Sequence, residues 1–203
     1  MKIVGLTGNV ASGKSTVAEL WRSWGVPVVS ADALAREAVE VGSQGLREVA
    51  DAFGPEVIQT DGALDRGVLR GIVFADDDAR LRLEGIIHPR VRELRDSWTA
   101  GQRESGAKVV VWEVPLLFET GMDEDVDVVV LVDAPEQERV RRMVEHRGLS
   151  AEDAQGIMKA QGSAAEKRTL ADILIENSGT RQELADQAAK VLARLRVNTR
   201  APE

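Results

Sequence analysis

Cysteine is absent from this 203-residue chain, and histidine occurs only twice. Disulfides and thiolate metal sites are therefore excluded, as suits a reducing compartment, and a histidine-rich metal cluster is not expected. No apolar run approaches the roughly 18 residues that would suggest a membrane span. The opening MKIVGLTGNV enters a glycine-rich stretch at once, leaving no room for the basic segment, apolar core and cleavage site of an export signal, so a cytoplasmic location is expected. Positive charge is in deficit: 26 Lys and Arg stand against 34 Asp and Glu, a net charge of −8. That balance disfavours nucleic acid or an anionic membrane as a partner and requires any phosphate recognition to be local.

What is present suits a packed globule: 43% of residues are apolar and four are Trp, enough for one domain carrying a smaller helical lobe. Five short Val/Ile/Leu-rich runs recur, KIVGLT (2–7), VPVVSA (26–31), KVVVWEV (108–114), DVVVLVD (127–133) and DILIE (172–176). Their near-continuous apolar character predicts parallel strands covered on both faces, and their alternation with helical patterns predicts an α/β doubly wound fold. Val17, Leu20, Trp21 and Trp24 fall on one helical face, expected in the core, and Gly25 stands where that helix would stop. Thr180 and Glu183 form a capping-box pattern ahead of Leu184, Ala188, Val191 and Leu195, which predicts a final helix on the sheet, with residues 199–203 a frayed tail. The stretch from Asp32 to Ala107 is several times longer than the dozen residues a crossover needs. Its patterns are helical, punctuated by Gly42, Gly45, Gly54 and Pro89, and predict an inserted lobe beside the carboxyl edge of the sheet.

Residues 8–15, GNVASGKS, match G-x-x-x-x-G-K-[ST] between a strand and an amphipathic helix, the context that makes this pattern specific for a phosphate-binding loop. Gly8 and Gly13 allow torsions and close approach that a Cβ would block, so successive N–H groups of Asn9, Val10, Ala11 and Ser12 can turn toward a phosphate at the N-terminus of the helix that follows. Lys14 supplies charge to the β- and γ-phosphates of ATP, and the Ser15 hydroxyl suits the Mg²⁺ shell, with Thr16 completing the loop. A GTPase switch would carry an Asn-Lys-x-Asp motif, which is missing, so phosphoryl transfer to a small molecule is favoured. Asp32 closes the second strand run, and right-handed crossovers bring strand carboxyl ends to one edge, where it can take the proton of an acceptor hydroxyl. Equally, it can simply cap the helix beginning LAREAVE.

The runs GLTGNVASGKSTVA (5–18), SADALAR (30–36), LDRGVLRGIVF (64–74), HP (88–89), PLLFE (115–119), Gln161 and ADILIEN (171–177) together resemble the dephospho-coenzyme A kinase family, in that family's order and over most of the chain. The resemblance implies a five-stranded parallel P-loop NTPase core of the nucleoside-monophosphate-kinase type, a helical acceptor lobe at 33–105 and a helical lid at 135–170. It implies transfer of the γ-phosphoryl of ATP, with Mg²⁺, to the ribose 3′-hydroxyl of dephospho-coenzyme A, by a monomer or small homo-oligomer with no nucleic-acid or membrane partner. Another small-metabolite or nucleotide kinase on the same core is the alternative.

Carried across by position, Asp32, Lys14 and Arg142 resemble the catalytic residues, Asp32 as base and Arg142 as a lid arginine on the transferring phosphate. Gly8 to Thr16, Arg142 and Asn177 resemble the ATP contacts, Asn177 at the adenine. Thr7, Asp32, Arg36, Arg66, Arg70, His88 and Leu116 resemble the acceptor contacts. Arg66 and Arg70, like His88 and Arg92, are four apart and share a helix face. The plainer alternative for each is a solvated surface residue, and for His88 a helix boundary set by Pro89. Two departures stand out: Asn9 and Ala11 replace glycines common in the family, and His146 stands where its lid often has Arg, with Arg147 next to it. Glu113 and Glu119 flank PLLF and either assist magnesium through water or solvate the loop.

Overall fold

The computed structural model describes residues 1–160 and 164–197. Two compact units emerge, one formed by Met1–Val29 with the chain from Gln102 onward, the other by Ser30–Gly101. Gln161 and the tail at 199–203 lie outside the described residues.

The first unit is built on five strands, β1 (Lys2–Thr7), β2 (Val28–Ser30), β3 (Val109–Glu113), β4 (Val128–Asp133) and β5 (Ile173–Glu176), in the order β2-β3-β1-β4-β5. Parallel ladders pair Leu6 with Glu113, Thr7 with Leu131 and Asp133 with Glu176. β3 and β4 are buried on both faces, which is why their Val-rich runs show no alternation, while the edge strand β5 exposes Leu174 and Glu176. Helices α1 (Lys14–Ser23) and α9 (Arg181–Val197) pack on one face. Val17, Ala18 and Trp21 of α1 and Leu184, Ala188, Leu192 and Leu195 of α9 join Val4, Leu6, Val109, Val111, Val130 and Val132 in one core. Each fully buried Val or Leu contributes about 1.5–3 kcal/mol relative to exposure. Trp21 also satisfies its indole, Nε1 donating to Ala188 O at 3.0 Å.

Two local expectations hold and one does not. Gly25 follows α1 with φ 76°, the left-handed turn that glycine adopts without strain. Thr180 and Glu183 exchange their capping-box bonds, Thr180 N to Glu183 Oε2 at 2.7 Å and Glu183 N to Thr180 Oγ1 at 3.2 Å. Trp24, however, is 36% exposed: it lies beyond the last helical residue of α1, so the helical period no longer governs where it points.

The second unit contains α2 (Ala31–Glu37), α3 (Gln44–Phe53), α4 (Arg66–Ala75) and most of α5 (Asp77–Glu104). Val39, Leu46, Val49, Phe53, Val57, Leu64, Leu69 and Ala79 form its own core. Asp65 caps α4, accepting from Val68 N at 2.9 Å. Two punctuation signals are overturned here. Pro89 lies inside the 28-residue α5 rather than at a boundary. A proline within a helix removes one backbone bond at a cost of about 3 kcal/mol, and burial of Leu83, Ile86 and Ile87 against the lobe core offsets it. Gly45 lies in the first turn of α3, buried, where a Cβ would collide with the Ala38 carbonyl, so it serves close packing rather than a break.

Candidate active site

The carboxyl ends of β1, β3, β4 and β5 deliver Thr7, Glu113, Asp133 and Asn177 to one edge of the sheet. Between Thr7 and α1, the chain folds as the tight loop its glycines allow. Gly13 has φ 98°, and Ala11, at φ 58°, takes a left-handed torsion uncommon for a residue with a Cβ. At Gly8 the requirement is space: a Cβ would collide with the Val132 carbonyl and the Ser12 hydroxyl. Among the described residues, Oδ1 of buried Asn9 and Oγ of buried Ser12 have no hydrogen-bond partner. The loop opens onto the first turn of α1, whose N–H groups have no intrahelical acceptor and whose dipole favours an anion.

Lys14 does not project freely from this loop. Its Nζ donates to Glu113 Oε1 at 2.6 Å, the Ser15 hydroxyl donates to the same oxygen at 3.0 Å, and Arg22 Nη2 donates to Oε2 at 3.2 Å. Glu113 is 5% exposed. Burial resists its ionisation, but the hydrogen bond and charge of Lys14, then Ser15 and Arg22, outweigh that and hold its carboxyl below the usual carboxylate range. Ser15 Oγ and the Glu113 carboxylate are hard oxygen donors side by side, the set that suits Mg²⁺ carried in with a nucleotide's phosphates.

Behind the loop, α6 (Glu136–Arg147) supplies Arg142, whose guanidinium donates to the carbonyls of Ala11 at 3.2 Å, Ser12 at 3.4 Å and Asn177 at 3.0 Å. Asn177 in turn donates its side-chain amide to Ser12 O at 2.8 Å. Both side chains therefore brace the phosphate loop. They also line a cleft of 380 Å³ together with Gly13, Thr16, His146 and Arg181. Of His146 and Arg147, His146 lines this cleft and Arg147 is not among its lining residues.

After α6 come α7 (Ala151–Ala160) and α8 (Ala164–Leu170). On α8, Lys167 Nζ lies 2.7 Å from Glu119 Oε1, and Arg168 Nε donates to the buried Asp133 Oδ2 at 2.6 Å. On α6, by contrast, Arg141 pairs with Glu138 and Glu145 on an exposed face, the ordinary solvated arrangement.

In the second unit, Asp32 occupies the first turn of α2 and is exposed; the N-cap position belongs to Ser30, so the capping alternative for Asp32 is corrected. Arg36, Arg66, Arg70 and His88 are all exposed, and none has a hydrogen bond or ion pair to another described residue. In the first unit, Thr7 is fully buried and donates its hydroxyl to Pro115 O at 3.3 Å, while Leu116 is 47% exposed in the turn after β3.

A family model for dephospho-CoA kinase matches residues 2–183. The chain belongs to the dephospho-CoA kinase family. It is 45% identical to a dephospho-CoA kinase of Anaeromyxobacter dehalogenans, with 97% of this chain and 93% of the relative covered. Among solved structures it is similar to the protein TT1252 from Thermus thermophilus, with a TM-score of 0.84, 42% identity and coverage of 96% of this chain and 97% of that one. A dephospho-CoA kinase from Campylobacter jejuni aligns with a TM-score of 0.76 and 25% identity, covering 98% of both chains.

For a member of the dephospho-CoA kinase family, the residue that sequence reasoning underweighted is Glu113. Its position was legible as the end of an apolar strand, and a carboxylate buried there needs a cation beside it. Lys14 was the cation on offer, since β1 and β3 are neighbours. Arg22 carried no comparable signal, because an Arg in the last turn of a helix is ordinarily explained by the helix dipole.

Proposed function

We propose that this chain transfers the γ-phosphoryl group of ATP to the ribose 3′-hydroxyl of dephospho-CoA, yielding CoA and ADP. The observation that carries this reading is the phosphate loop, Gly8 to Thr16, with Lys14 and Ser15 gathered on one carboxylate oxygen of Glu113, in a chain of the dephospho-CoA kinase family. Loop N–H groups and Lys14 receive the β- and γ-phosphates. Ser15, with Glu113 behind it, holds Mg²⁺, which when bound neutralises charge on the transferring group. The acceptor oxygen forms its bond to the γ-phosphorus as the bond to the ADP oxygen breaks, and the hydroxyl proton passes to Asp32 and then to solvent.

Arg142 stabilises the transferring phosphate by keeping the loop's N–H groups aimed, because its own donors are engaged on Ala11, Ser12 and Asn177. Adenine occupies the cleft beside Asn177 and His146. Arg36, Arg66, Arg70 and His88 serve the acceptor in the lobe at 33–105, with Thr7 and Leu116 at the strand edge, and residues 135–170 act as the lid. We place the enzyme in the cytoplasm as a monomer or small homo-oligomer acting on small molecules alone. No helix of the described residues is long and apolar enough to cross a membrane.

Incubation with ATP, Mg²⁺ and dephospho-CoA, followed by phosphorus NMR, tests the reading. A new phosphomonoester on the ribose 3′ position is expected. ATP consumption with a nucleotide or a sugar acid, and none with dephospho-CoA, would transfer the chain to another kinase class.

A further inference from the structure

Lys14 is engaged on Glu113 through the group that a nucleotide phosphate would need. For Lys14 to turn toward a phosphate, a carboxylate that is 5% exposed must lose its strongest partner, and a buried charge left without a counter-charge is strongly unfavourable. Arg22 is placed to prevent this. Ser15 and Arg22 are seven residues apart in α1, hence on one face two turns apart, and long helical side chains lean toward the N-terminus. Arg22 accordingly reaches back along the helix and takes the Glu113 oxygen that Lys14 and Ser15 do not use, Nη2 to Oε2 at 3.2 Å. Its Nε donates to Val28 O at 3.5 Å.

We infer that Arg22 is a positioning residue for nucleotide binding: it remains the counter-charge of Glu113 while Lys14 exchanges that carboxylate for the phosphates of the nucleotide. The two oxygens of Glu113 divide the work. Oε1 faces the two groups that must become available to the ligand, and Oε2 faces the one that stays. Where Mg²⁺ accompanies the nucleotide, the metal is a second cation near Glu113, so dependence on Arg22 is greatest without it. The Arg22 side chain is 39% exposed, so solvent weakens its pair with Glu113 and the effect is modest. This inference rests on reading Gly8 to Thr16 as the phosphate site.

The test is a double-mutant cycle on ADP affinity, measured by calorimetry with EDTA and again with Mg²⁺, for the wild type, Arg22→Ala, Glu113→Gln and the double variant. Arg22→Ala should weaken ADP binding by about three- to tenfold in EDTA and less with Mg²⁺. Arg22→Lys should recover most of the loss. In the Glu113→Gln background, Arg22→Ala should change affinity by less than about twofold, because no buried carboxylate remains to be neutralised. Thermal melting screens each variant for folding, and Arg22→Gln, which keeps the first part of the stem and a polar end without the charge, replaces Ala if Ala unfolds. An equal loss in both backgrounds, or unchanged affinity in Arg22→Ala, overturns the inference. Failure of the wild type to bind ADP, or binding unaffected by Lys14→Ala, would instead defeat the phosphate-site reading itself.

Discussion

The two compact units treat their charged residues in opposite ways. Around the phosphate loop the charged groups are engaged: Lys14, Ser15 and Arg22 converge on Glu113, Arg142 holds three backbone carbonyls, and Asn177 shares the Ser12 carbonyl with it. In the unit from Ser30 to Gly101, Arg47 and Arg82 donate to the carbonyls of Gly42 and Ala52, and other basic residues differ among themselves. Arg80, Arg90 and Arg95 of α5 are paired with carboxylates, whereas Arg36, Arg66, Arg70 and His88 are exposed without a pairing among the described residues. The difference separates two strategies for binding anions. The loop backbone is braced by Arg142 and Asn177, so little backbone ordering remains to be done, while Lys14 has only to exchange Glu113 for a phosphate. On the proposed reading, the exposed cations of α2, α4 and α5 are ordered only by the acceptor, at roughly 0.5–1.5 kcal/mol for each long side chain.

The largest effect should come from the preorganised side. Lys14→Ala removes the charge for the transferring phosphate, and turnover should fall by about 10³-fold or more, with the fold retained because Glu113 keeps Arg22 and Ser15. Steady-state turnover together with circular dichroism checks it, and a variant that turns over normally would dissolve the contrast between the units. Asp32→Asn comes next. Asp32 lies in the first turn of α2, so losing its charge removes about 0.3–1 kcal/mol of dipole stabilisation and leaves the helix in place. Loss of the proton acceptor should lower turnover by about 10²- to 10⁴-fold at saturating substrates. A much smaller drop would make Asp32 an orienting group for the hydroxyl.

Much of this was legible in the chain. The five strands lie within a residue or two of the apolar runs that announced them, and β3 and β4 are apolar almost throughout because both their faces are buried, whereas β5 exposes Leu174 and Glu176. The phosphate loop was legible because its glycines answer local demands, a positive φ at Gly13 and a forbidden Cβ at Gly8. Tertiary partners were not legible. The continuity of α5 through Pro89 depends on Ile86 and Ile87 packing against a core assembled from α3 and α4. The bracing role of Arg142 depends on carbonyls 130 residues away in sequence, which no local pattern encodes. Unpaired cations on helical faces were visible as spacing alone, and spacing does not distinguish Arg66 from Arg90.

Substitution makes that distinction. Arg66→Ala or Arg70→Ala should raise KM for dephospho-CoA by about tenfold, the value of a charge-assisted contact to a pyrophosphate, and leave KM for ATP nearly unchanged. Arg90 is held by Glu48 at 2.7 Å and by Glu93 at 2.9 Å, so Arg90→Ala should lower the melting temperature and move neither KM. A matched rise in KM from Arg90→Ala would erase the division between paired and unpaired cations in this unit.

The smallest effect belongs to a paired group of the first unit that lies away from the phosphates. Glu183 closes the capping box of α9, and its carboxyl is held below the usual range by the Thr180 N–H first and the Thr180 hydroxyl second, against weaker opposition from burial and Asp186. A carboxyl whose folded pKa is depressed contributes stability that is present above its unfolded value, about 4.3, and lost as pH falls through the folded value. Glu183→Gln keeps an acceptor for the Thr180 N–H but removes the charge. The variant should therefore melt slightly below the wild type at pH 7, and the gap should close as pH falls below the usual carboxylate range. Thermal melts of both proteins across that interval measure it, with turnover at pH 7 expected to stay unchanged. A gap that persists undiminished into acid would show that the substituted amide perturbs the helix end by its shape, and the charge of Glu183 would then carry no part of the stability of α9.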